Sequence, residues 1–414
     1  MVLSLALITA VNQASASNNT LSNLSQRISS KGYIDFRWQH FQGNNSWLDL
    51  GTGHSRFDNS HNNRPLLADF AAEIKADLKA GSQIITQLHA YPEQNSALEI
   101  TELYWQYRPL YASTMRSRWR VGFFYPKLSI ENRGSVWSSL YNLNYSAINS
   151  WIGEELRTFG VEGRWSWKID KSANEKAPLK LNLTASAFAY NDPTGAILAW
   201  KGWSNHDLQS GINNKLPFAA PAGVAAADNI QANSFQSFRE IDGRPGGYIG
   251  LGLSRKRSFK VEWFHYDNQA EDTAFEDGHY AWHTTFNHIS AHYFLTKELE
   301  AFGQYIRGRT SMGNGFVDNR FESAFIAISK SQGPHRLSAR FERAIVDDLD
   351  NTPLDDNKEA GNSFNLNYSY YLAPHWKFSS EYQQRRSRQA RRSYRQEPIY
   401  VKEEQLSFSA RYYF

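Results

Sequence analysis

The feature that most constrains this chain is the alternation in its last ten residues, Gln405–Phe414. Every second residue from Leu406 to Phe414 is apolar or aromatic, and the residues between them are polar. Because successive side chains of a β-strand point to opposite faces, the segment predicts a strand with one apolar face and one polar face. The strand ends on an aromatic residue. A strand of this kind can close a sheet into a barrel whose outer surface meets lipid.

The same two-faced pattern recurs along the chain after Lys31. In Leu67–Lys79, apolar side chains alternate with charged ones over most of the segment. Such segments number about sixteen, and single-chain bacterial barrels have an even number of strands. Connections are mostly short after even-numbered strands and long after odd-numbered ones, as in barrels with short periplasmic turns and long outer loops. The pattern therefore predicts an all-β fold, a transmembrane antiparallel up-and-down β-barrel.

The alternation also gives approximate strand limits. Strand six is predicted at about Glu155–Lys168, and a connection between Arg309 and Arg320 separates strands eleven and twelve. The third outer connection then runs from Pro126 to Glu154. No Gly/Ser-rich linker or change in composition divides the rest of the chain. Residues 32–414 are therefore predicted to form one barrel domain.

Composition excludes several classes of function. The chain contains no cysteine, which rules out disulfides, thiolate metal sites and cysteine nucleophiles. Mean hydropathy is −0.60, and no stretch after the N-terminus approaches the roughly 18 apolar residues of a membrane-spanning helix. A barrel does not need such a stretch, because only every second residue of a strand meets lipid. Aromatic residues make up 14% of the chain, which suits interfacial girdles, and the net charge of +4 gives no reason to expect nucleic-acid binding.

The N-terminus has the pattern of an export signal. An apolar run is followed by Ala14-Ser15-Ala16, a small-x-small cleavage pattern, so residues 1–16 are predicted to be a signal peptide cut after Ala16. The positively charged segment that normally precedes the apolar run is missing. Residues 17–31 are polar and rich in Asn and Ser, and are predicted to be a flexible periplasmic leader. Export and a barrel together predict a location in the bacterial outer membrane.

The third outer connection combines apolar side chains with charges of both signs. Its charged residues include Lys127, Glu131, Arg133, Glu154 and Glu155. In position and length it resembles the third loop of Gram-negative porins of the sixteen-stranded type. Its sequence is loosely similar to that of phosphate-selective porins. The resemblance implies that the connection folds into the lumen, that these charged residues form a constriction, and that the protein is a homotrimer.

The terminal strand carries a second resemblance. Its final aromatic residue resembles the assembly signal of outer-membrane barrels, which the barrel-assembly machinery recognises. The residues that would form this closure signal are Phe408, Tyr412 and Phe414.

Inward positions of other strands add a basic wall to the predicted lumen. Its members are Arg118, Arg120, Lys260, Arg336 and Arg340. Acidic residues on the same inward faces reduce the net positive charge of this wall; they are Glu73, Glu102, Glu262 and Glu342. A barrel of this size can hold an aqueous channel. The sequence therefore predicts a porin for the passive diffusion of small hydrophilic solutes or ions, with a mild preference for anions.

Further expectations concern partners and rival functions. The arginine-rich run Arg385–Arg395 is placed in the last outer loop, where it would either contact lipopolysaccharide phosphates or remain solvated. Outer-membrane lipid is the other expected partner, and no metal site or cofactor is predicted. Two alternatives stay open: a barrel enzyme that hydrolyses lipid or peptide, and a secreted soluble β-protein with a binding surface. The sequence contains no nucleophile elbow, so no enzymatic activity is expected.

Overall fold

The computed structural model describes residues 27–78, 80–93, 98–110, 114–170, 177–218, 234–372 and 374–414. The predicted signal peptide, residues 1–16, and residues 17–26 of the predicted leader lie outside this part of the chain. The first strand begins at Ile28, so the last residues assigned to the leader belong to the barrel instead.

Sixteen strands in the described part of the chain pair in sequence order, each antiparallel to the next, and close into a barrel. They are β1 (Ile28–Gln42), β2 (Pro65–Asp77), β3 (Ser82–Ala90), β4 (Glu99–Tyr107), β5 (Met115–Phe124), β6 (Thr158–Lys168), β7 (Leu179–Ala189), β8 (Gly246–Arg255), β9 (Phe259–Asp267), β10 (His283–Phe294), β11 (Leu299–Met312), β12 (Val317–Gln332), β13 (His335–Asp348), β14 (Glu359–Leu372), β15 (Trp376–Gln389) and β16 (Tyr400–Tyr413). The predicted fold class is confirmed.

The barrel closes where its first and last strands meet. Residues Tyr33–Gln42 pair with Glu404–Tyr413. Just beyond this ladder, the N–H of Gly32 donates to the carbonyl of Phe414 (3.1 Å), and the N–H of Phe414 donates back to the carbonyl of Gly32 (3.2 Å). A Cβ at Gly32 would lie 2.3 Å from a carbonyl oxygen of β2, so the seam requires glycine there. The Phe414 ring stacks on Phe70 with centroids 6.1 Å apart. The assembly role of the terminal aromatics stays a prediction.

The wall has the two faces that the sequence predicts. On β16, Phe408 is 46% exposed on the outside, whereas Ser407 and Ser409 on either side of it are buried. Phe159 on β6 and Ile249 on β8 are likewise exposed apolar residues of the outer surface. An outer surface of this composition is suited to lipid and costly in water.

Several strands in the C-terminal half are longer at their outer ends than predicted. The connection between β11 and β12 is only residues 313–316, although the sequence placed it between Arg309 and Arg320. The prediction was wrong because the outward positions there carry charges instead of apolar side chains, so the alternation was no longer visible. Arg309 instead forms an ion pair with Asp318 across the hairpin. Cross-strand pairs of opposite charge stabilise a ladder in the same way as apolar pairs.

Two helices and several short elements lie in the described parts of the outer connections. Helix α1 is Ala147–Glu155 and helix α2 is Ala196–Lys201. The short elements are the hairpins Leu216–Pro217 with Ser234–Phe235 and Phe275–Glu276 with His279–Tyr280, and the 3-10 turns Trp47–Asp49, Asn59–His61, Ser135–Trp137 and Ala390–Arg395. Glu155 ends α1 rather than starting strand six as predicted, because Ser146 caps a helix just before it. No helix of the described residues has the length and apolar character required to cross a membrane.

Candidate functional site

The third outer connection, residues 125–157, is attached to inward-facing side chains on the opposite wall of the barrel. Glu381 of β15 accepts a hydrogen bond from the backbone N–H of Asn144 (2.9 Å). Arg340 of β13 donates to the carbonyls of Asn144 (3.1 Å) and Tyr145 (3.0 Å). In the ring of strands, β13 and β15 lie across from β5 and β6, where the connection begins and ends. These contacts therefore join opposite sides of the barrel.

Glu131 is the centre of a buried polar network in this connection. It pairs with Arg340, and it accepts hydrogen bonds from the side chain of Asn149 (2.7 Å) and the backbone N–H of Ser146 (3.0 Å). Arg340 also pairs with Glu342 (2.8 Å). One guanidinium thus lies between two carboxylates in this network. Removing either partner of such a buried pair is strongly destabilising, because the remaining charge is left without compensation.

Helix α1 is fixed at its start and along one side. The hydroxyl of Ser146 caps the helix, and Glu342 accepts a hydrogen bond from the first helical N–H (2.7 Å). A carboxylate at this end also interacts favourably with the helix dipole. Further along, the ring of Trp151 lies 5.5 Å from that of Phe286 and 5.3 Å from that of Phe321, which are inward residues of β10 and β12. Polar and aromatic contacts together place the helix against the wall.

Glu154 links the third connection to the fourth, which runs from the end of β7 to the start of β8. Its carboxylate lies 3.0 Å from the ammonium of Lys201 and 2.5 Å from a ring nitrogen of His206. The Lys201 ammonium lies 4.6 Å above the ring of Trp47, in the first connection. Burial works against ionisation of Glu154, but Lys201 and His206 outweigh it and hold the pKa of Glu154 below its usual value. This cluster ties three connections together.

Glu155 makes a second link between the same two connections. Its carboxyl accepts hydrogen bonds from the backbone N–H groups of Ile197 (2.7 Å) and Leu198 (3.1 Å) and from the indole of Trp151 (2.5 Å). Burial raises the pKa of Glu155 to about 8. The residue therefore acts as a buried acceptor that joins α1 to α2.

The first outer connection, between β1 and β2, joins this interior through His54. One ring nitrogen of His54 lies 2.8 Å from Glu403 and the other 3.1 Å from Glu359. Glu359 also accepts from the backbone N–H of Trp203 (2.9 Å) and pairs with Arg385 (2.7 Å). Arg385, predicted to lie in the last outer loop, is therefore an inward residue of β15. The first, third and fourth connections share one buried polar network with the wall.

The ten residues predicted to form the constriction and the lining divide into two groups. The fully buried ones are Arg120, Glu131, Glu154, Glu155 and Arg340. Those that keep accessible surface are Lys127, Arg133, Arg118, Lys260 and Arg336. Every member of the accessible group is basic. Their roles as constriction and lining residues stay predictions.

Within the described residues, some of these basic side chains form ion pairs with carboxylates and others do not. Lys260 pairs with the buried Glu262, and Arg336 pairs with Glu300 (2.9 Å). Arg120 is neutralised by Glu162 (2.8 Å). The charge of the accessible set is thus reduced without being cancelled.

A cluster of arginines lies near the turn between β4 and β5. Arg118 stands directly opposite Arg164 in the β5–β6 ladder, and in the described part of the chain no ion pair neutralises it. Arg108 and Arg116 join them around an open recess of about 610 Å³. Arg164 forms an ion pair with Glu262 (3.2 Å), so the positive charge of the cluster comes mainly from the other three arginines. Sequence reasoning missed Arg164, although the alternation that places Trp165 outward also places Arg164 inward.

Lys127 stands at the start of the third connection. Although Lys127 keeps some accessible surface, the surrounding protein largely desolvates its ammonium; this desolvation, with a smaller contribution from the neighbouring charge of Arg120, lowers the pKa of Lys127 to about 8. Its ammonium therefore loses its charge close to neutral pH, unlike an ordinary lysine.

One group of acidic side chains has the spacing of a metal site. Asp192, Glu240 and Asp242 place one carboxylate oxygen each within 4.8 Å of the others. Burial, together with the charges of the other two residues, raises the pKa of Asp192 to about 7. Acidic groups of this kind are common without an ion, and we assign none.

Comparison with known proteins gives the fold. No protein-family model matches the chain, and no curated protein matches it. Among solved structures, the outer membrane channel DcaP of Acinetobacter baumannii is 9% identical, with a TM-score of 0.55 over 94% of this chain and 97% of that one. A loop L8 deletion mutant of OmpT, an outer membrane protein of Vibrio cholerae, is 7% identical, with a TM-score of 0.52 over 94% of this chain and 99% of that one. The chain therefore has an outer-membrane barrel fold, and its resemblance to phosphate-selective porins stays a prediction.

Proposed function

We propose that this protein is an outer-membrane channel through which small hydrophilic solutes diffuse passively. The observation that carries the proposal is the attachment of the third connection, by Arg340 and Glu381, to the wall opposite its own strands. A connection held across a barrel narrows the lumen, and a narrowed lumen selects solutes by size and charge. The exposed apolar outer surface supports a position in the bacterial outer membrane. The shared fold with the DcaP channel is consistent with transport.

The charges inside the barrel favour anions. Glu131 and Glu154 are buried in ion pairs, so they add little to the field along an aqueous path. Arg118 and Arg133 remain accessible. Because the first, third and fourth connections are buried together, we expect the conducting path to be narrow. A homotrimer and recognition by the barrel-assembly machinery remain predictions, and the mass of the detergent-solubilised particle tests the first.

The absence of cysteine makes a direct test of the path simple. A Cys introduced as Arg133→Cys is the only thiol in the protein. In planar bilayers, we expect a negatively charged thiosulfonate reagent to lower both the single-channel conductance and the anion preference of this variant. A positively charged reagent of similar size should restore the preference and lower only the conductance.

The matched control is Ile326→Cys. Ile326 is 66% exposed on the outer surface, so its modification should leave the current unchanged. A wild-type protein that is folded but conducts no ions would refute the channel. Conductance that is unchanged when the thiol at position 133 is fully modified would refute the assignment of the third connection as the constriction.

A further inference from the structure

A row of polar residues crosses the outer surface of the barrel near its loop end. Arg343 of β13 pairs with Asn362 of β14, Asn362 pairs with Arg386 of β15, and Arg386 pairs with Lys402 of β16. Alternation points all of them away from the lumen, and all are exposed. We call these four residues the outward basic row. Directly opposed residues in an antiparallel sheet have Cβ atoms about 5 Å apart, so the row is continuous.

The positive charge of this row is largely uncompensated. In the described part of the chain, no carboxylate forms an ion pair with Arg343 or Arg386. Lys402, the remaining cation of the row, does pair with a carboxylate, that of Glu404 (2.8 Å). Arg386 and Lys402 are nonetheless direct neighbours of like charge, which costs the ladder stability. A ligand with negative charge at this position would remove that cost.

Three other outward arginines of the same barrel, Arg307, Arg309 and Arg320, have acidic partners. Arg320 on β12 pairs with Asp347 on β13 (2.8 Å), and Arg307 on β11 lies 3.9 Å from Glu322 on β12. Among the described residues, Arg343 and Arg386 therefore differ from these three outward arginines in having no acidic partner.

The row lies at the boundary of the apolar surface. One step nearer the periplasm, the outward residues of β13 and β14 are Phe341 and Phe364, which are 53% and 41% exposed. One step nearer the loops, the Arg388 guanidinium lies 5.9 Å from the ring centroid of Tyr400. The row and its neighbours line an open recess of about 500 Å³. A ligand group bound in this recess would therefore lie between the acyl chains of the membrane, on the periplasmic side, and solvent, on the loop side.

We propose that the outward basic row binds a phosphate of a glycolipid headgroup in the outer leaflet of the membrane. The guanidinium forks of Arg343 and Arg386 match phosphate oxygens, and Lys402 adds a point charge. Asn362, between them, can donate a further hydrogen bond. Phe341 and Phe364 lie where the acyl chains of the same lipid begin. The predicted contact of the run Arg385–Arg395 with lipopolysaccharide is thereby reassigned to the outward residues of strands.

The test measures lipid binding by the purified protein in detergent, which does not depend on conduction. The probes are lipid A with its phosphates, lipid A from which the phosphates have been removed, and inorganic phosphate. Native mass spectrometry gives the bound fraction of each probe. We expect phosphorylated lipid A to bind and the double variant Arg343→Gln/Arg386→Gln to bind it at least about tenfold more weakly, because two charge-assisted contacts are lost.

The control is the double variant Arg307→Gln/Arg320→Gln, which removes two outward arginines that have acidic partners and should keep wild-type affinity. Heat-modifiable migration on gels confirms that each variant is folded. Equal affinity in the Arg343/Arg386 variant, or equal binding of the phosphate-free lipid, would overturn the proposal. Displacement of the lipid by millimolar inorganic phosphate would identify a free-anion site instead. Loss of oligomeric mass in the variant would identify an interface between copies of the chain.

Discussion

The contacts of Arg340 make it the most informative single side chain to change. It is fully buried on β13 and holds the third connection by its pairing with Glu131 and by hydrogen bonds to the carbonyls of Asn144 and Tyr145. It also pairs with Glu342 on its own strand. The substitution Arg340→Met keeps an unbranched side chain and removes every one of these polar contacts.

The free-energy cost of this substitution can be estimated from the charges that it leaves unpaired. Glu131 and Glu342 would remain buried without their cation, and breaking a buried ion pair in this way costs about 3–5 kcal/mol. The backbone ladder of β13 is unaffected, so we expect the cost to fall on the attachment of the third connection. At about 1.4 kcal/mol per factor of ten, the equilibrium between attached and released connection shifts roughly a hundred- to several-thousand-fold.

Two measurements report this release. Single-channel conductance in planar bilayers should rise and become noisier, because the connection no longer holds one position across the lumen. Limited proteolysis of the folded barrel should cut within residues 125–157 in the variant and leave the wild type intact at the same protease concentration. Heat-modifiable migration shows that the barrel itself remains folded.

The control for this experiment is Arg307→Met. Arg307 is exposed on the outer surface and lies 3.9 Å from Glu322, and exposed pairs contribute about 1 kcal/mol or less. We expect it to behave as the wild type in both assays. If Arg340→Met also leaves conductance and cleavage unchanged, the connection is held by other contacts and the reasoning is refuted.

Three further predictions concern charge and packing. Because the pKa of Lys127 is lowered to about 8, anion selectivity should fall as pH rises from 7 to 9. The substitution Lys127→Arg should abolish this pH dependence. Equal pH profiles of selectivity in the wild type and the variant would contradict the prediction. Glu154→Gln leaves Lys201 buried without its carboxylate partner. Proteolysis of the fourth connection should therefore accelerate by roughly a hundredfold or more. Resistance equal to that of the wild type would argue that Glu154 does not hold the third and fourth connections together. Gly32→Ala places a Cβ 2.3 Å from a carbonyl oxygen at the seam and should lower the unfolding temperature, whereas Gly247→Ala, with its nearest contact at 3.2 Å, should change it much less.

The architecture was largely readable from the sequence. Outward apolar residues on alternate positions placed sixteen strands in the correct order, because a strand between lipid and lumen repeats every second residue. The alternating pattern did not predict the strand ends where the outward residues are charged and no longer apolar. At the outer ends of β11 and β12 the outward residues are Arg309 and Arg320, so the pattern ended before the strands did.

The interior was much less readable. The sequence singled out Glu131 and Arg340 separately, but they are 209 residues apart in the chain and nothing in the local pattern pairs them. Glu155 was assigned to a strand, although Ser146 at the start of the preceding segment is a good helix cap. Arg385 was placed in a loop with its neighbours, whereas strand alternation divides that run between lumen and outer surface. Only the pairing of Glu131 with Arg340 is long-range; the other two positions follow from a local helix cap and from strand alternation.

The measurement that tests the central claim most directly is the zero-current potential of the purified, folded protein in a planar bilayer between unequal concentrations of potassium chloride. We predict current steps that are linear in voltage and a zero-current potential with the sign of chloride preference. The magnitude of this potential should decrease in a variant that combines Arg118→Gln with Arg133→Gln. A folded barrel that carries no current at any voltage, or one that prefers potassium, would contradict the account.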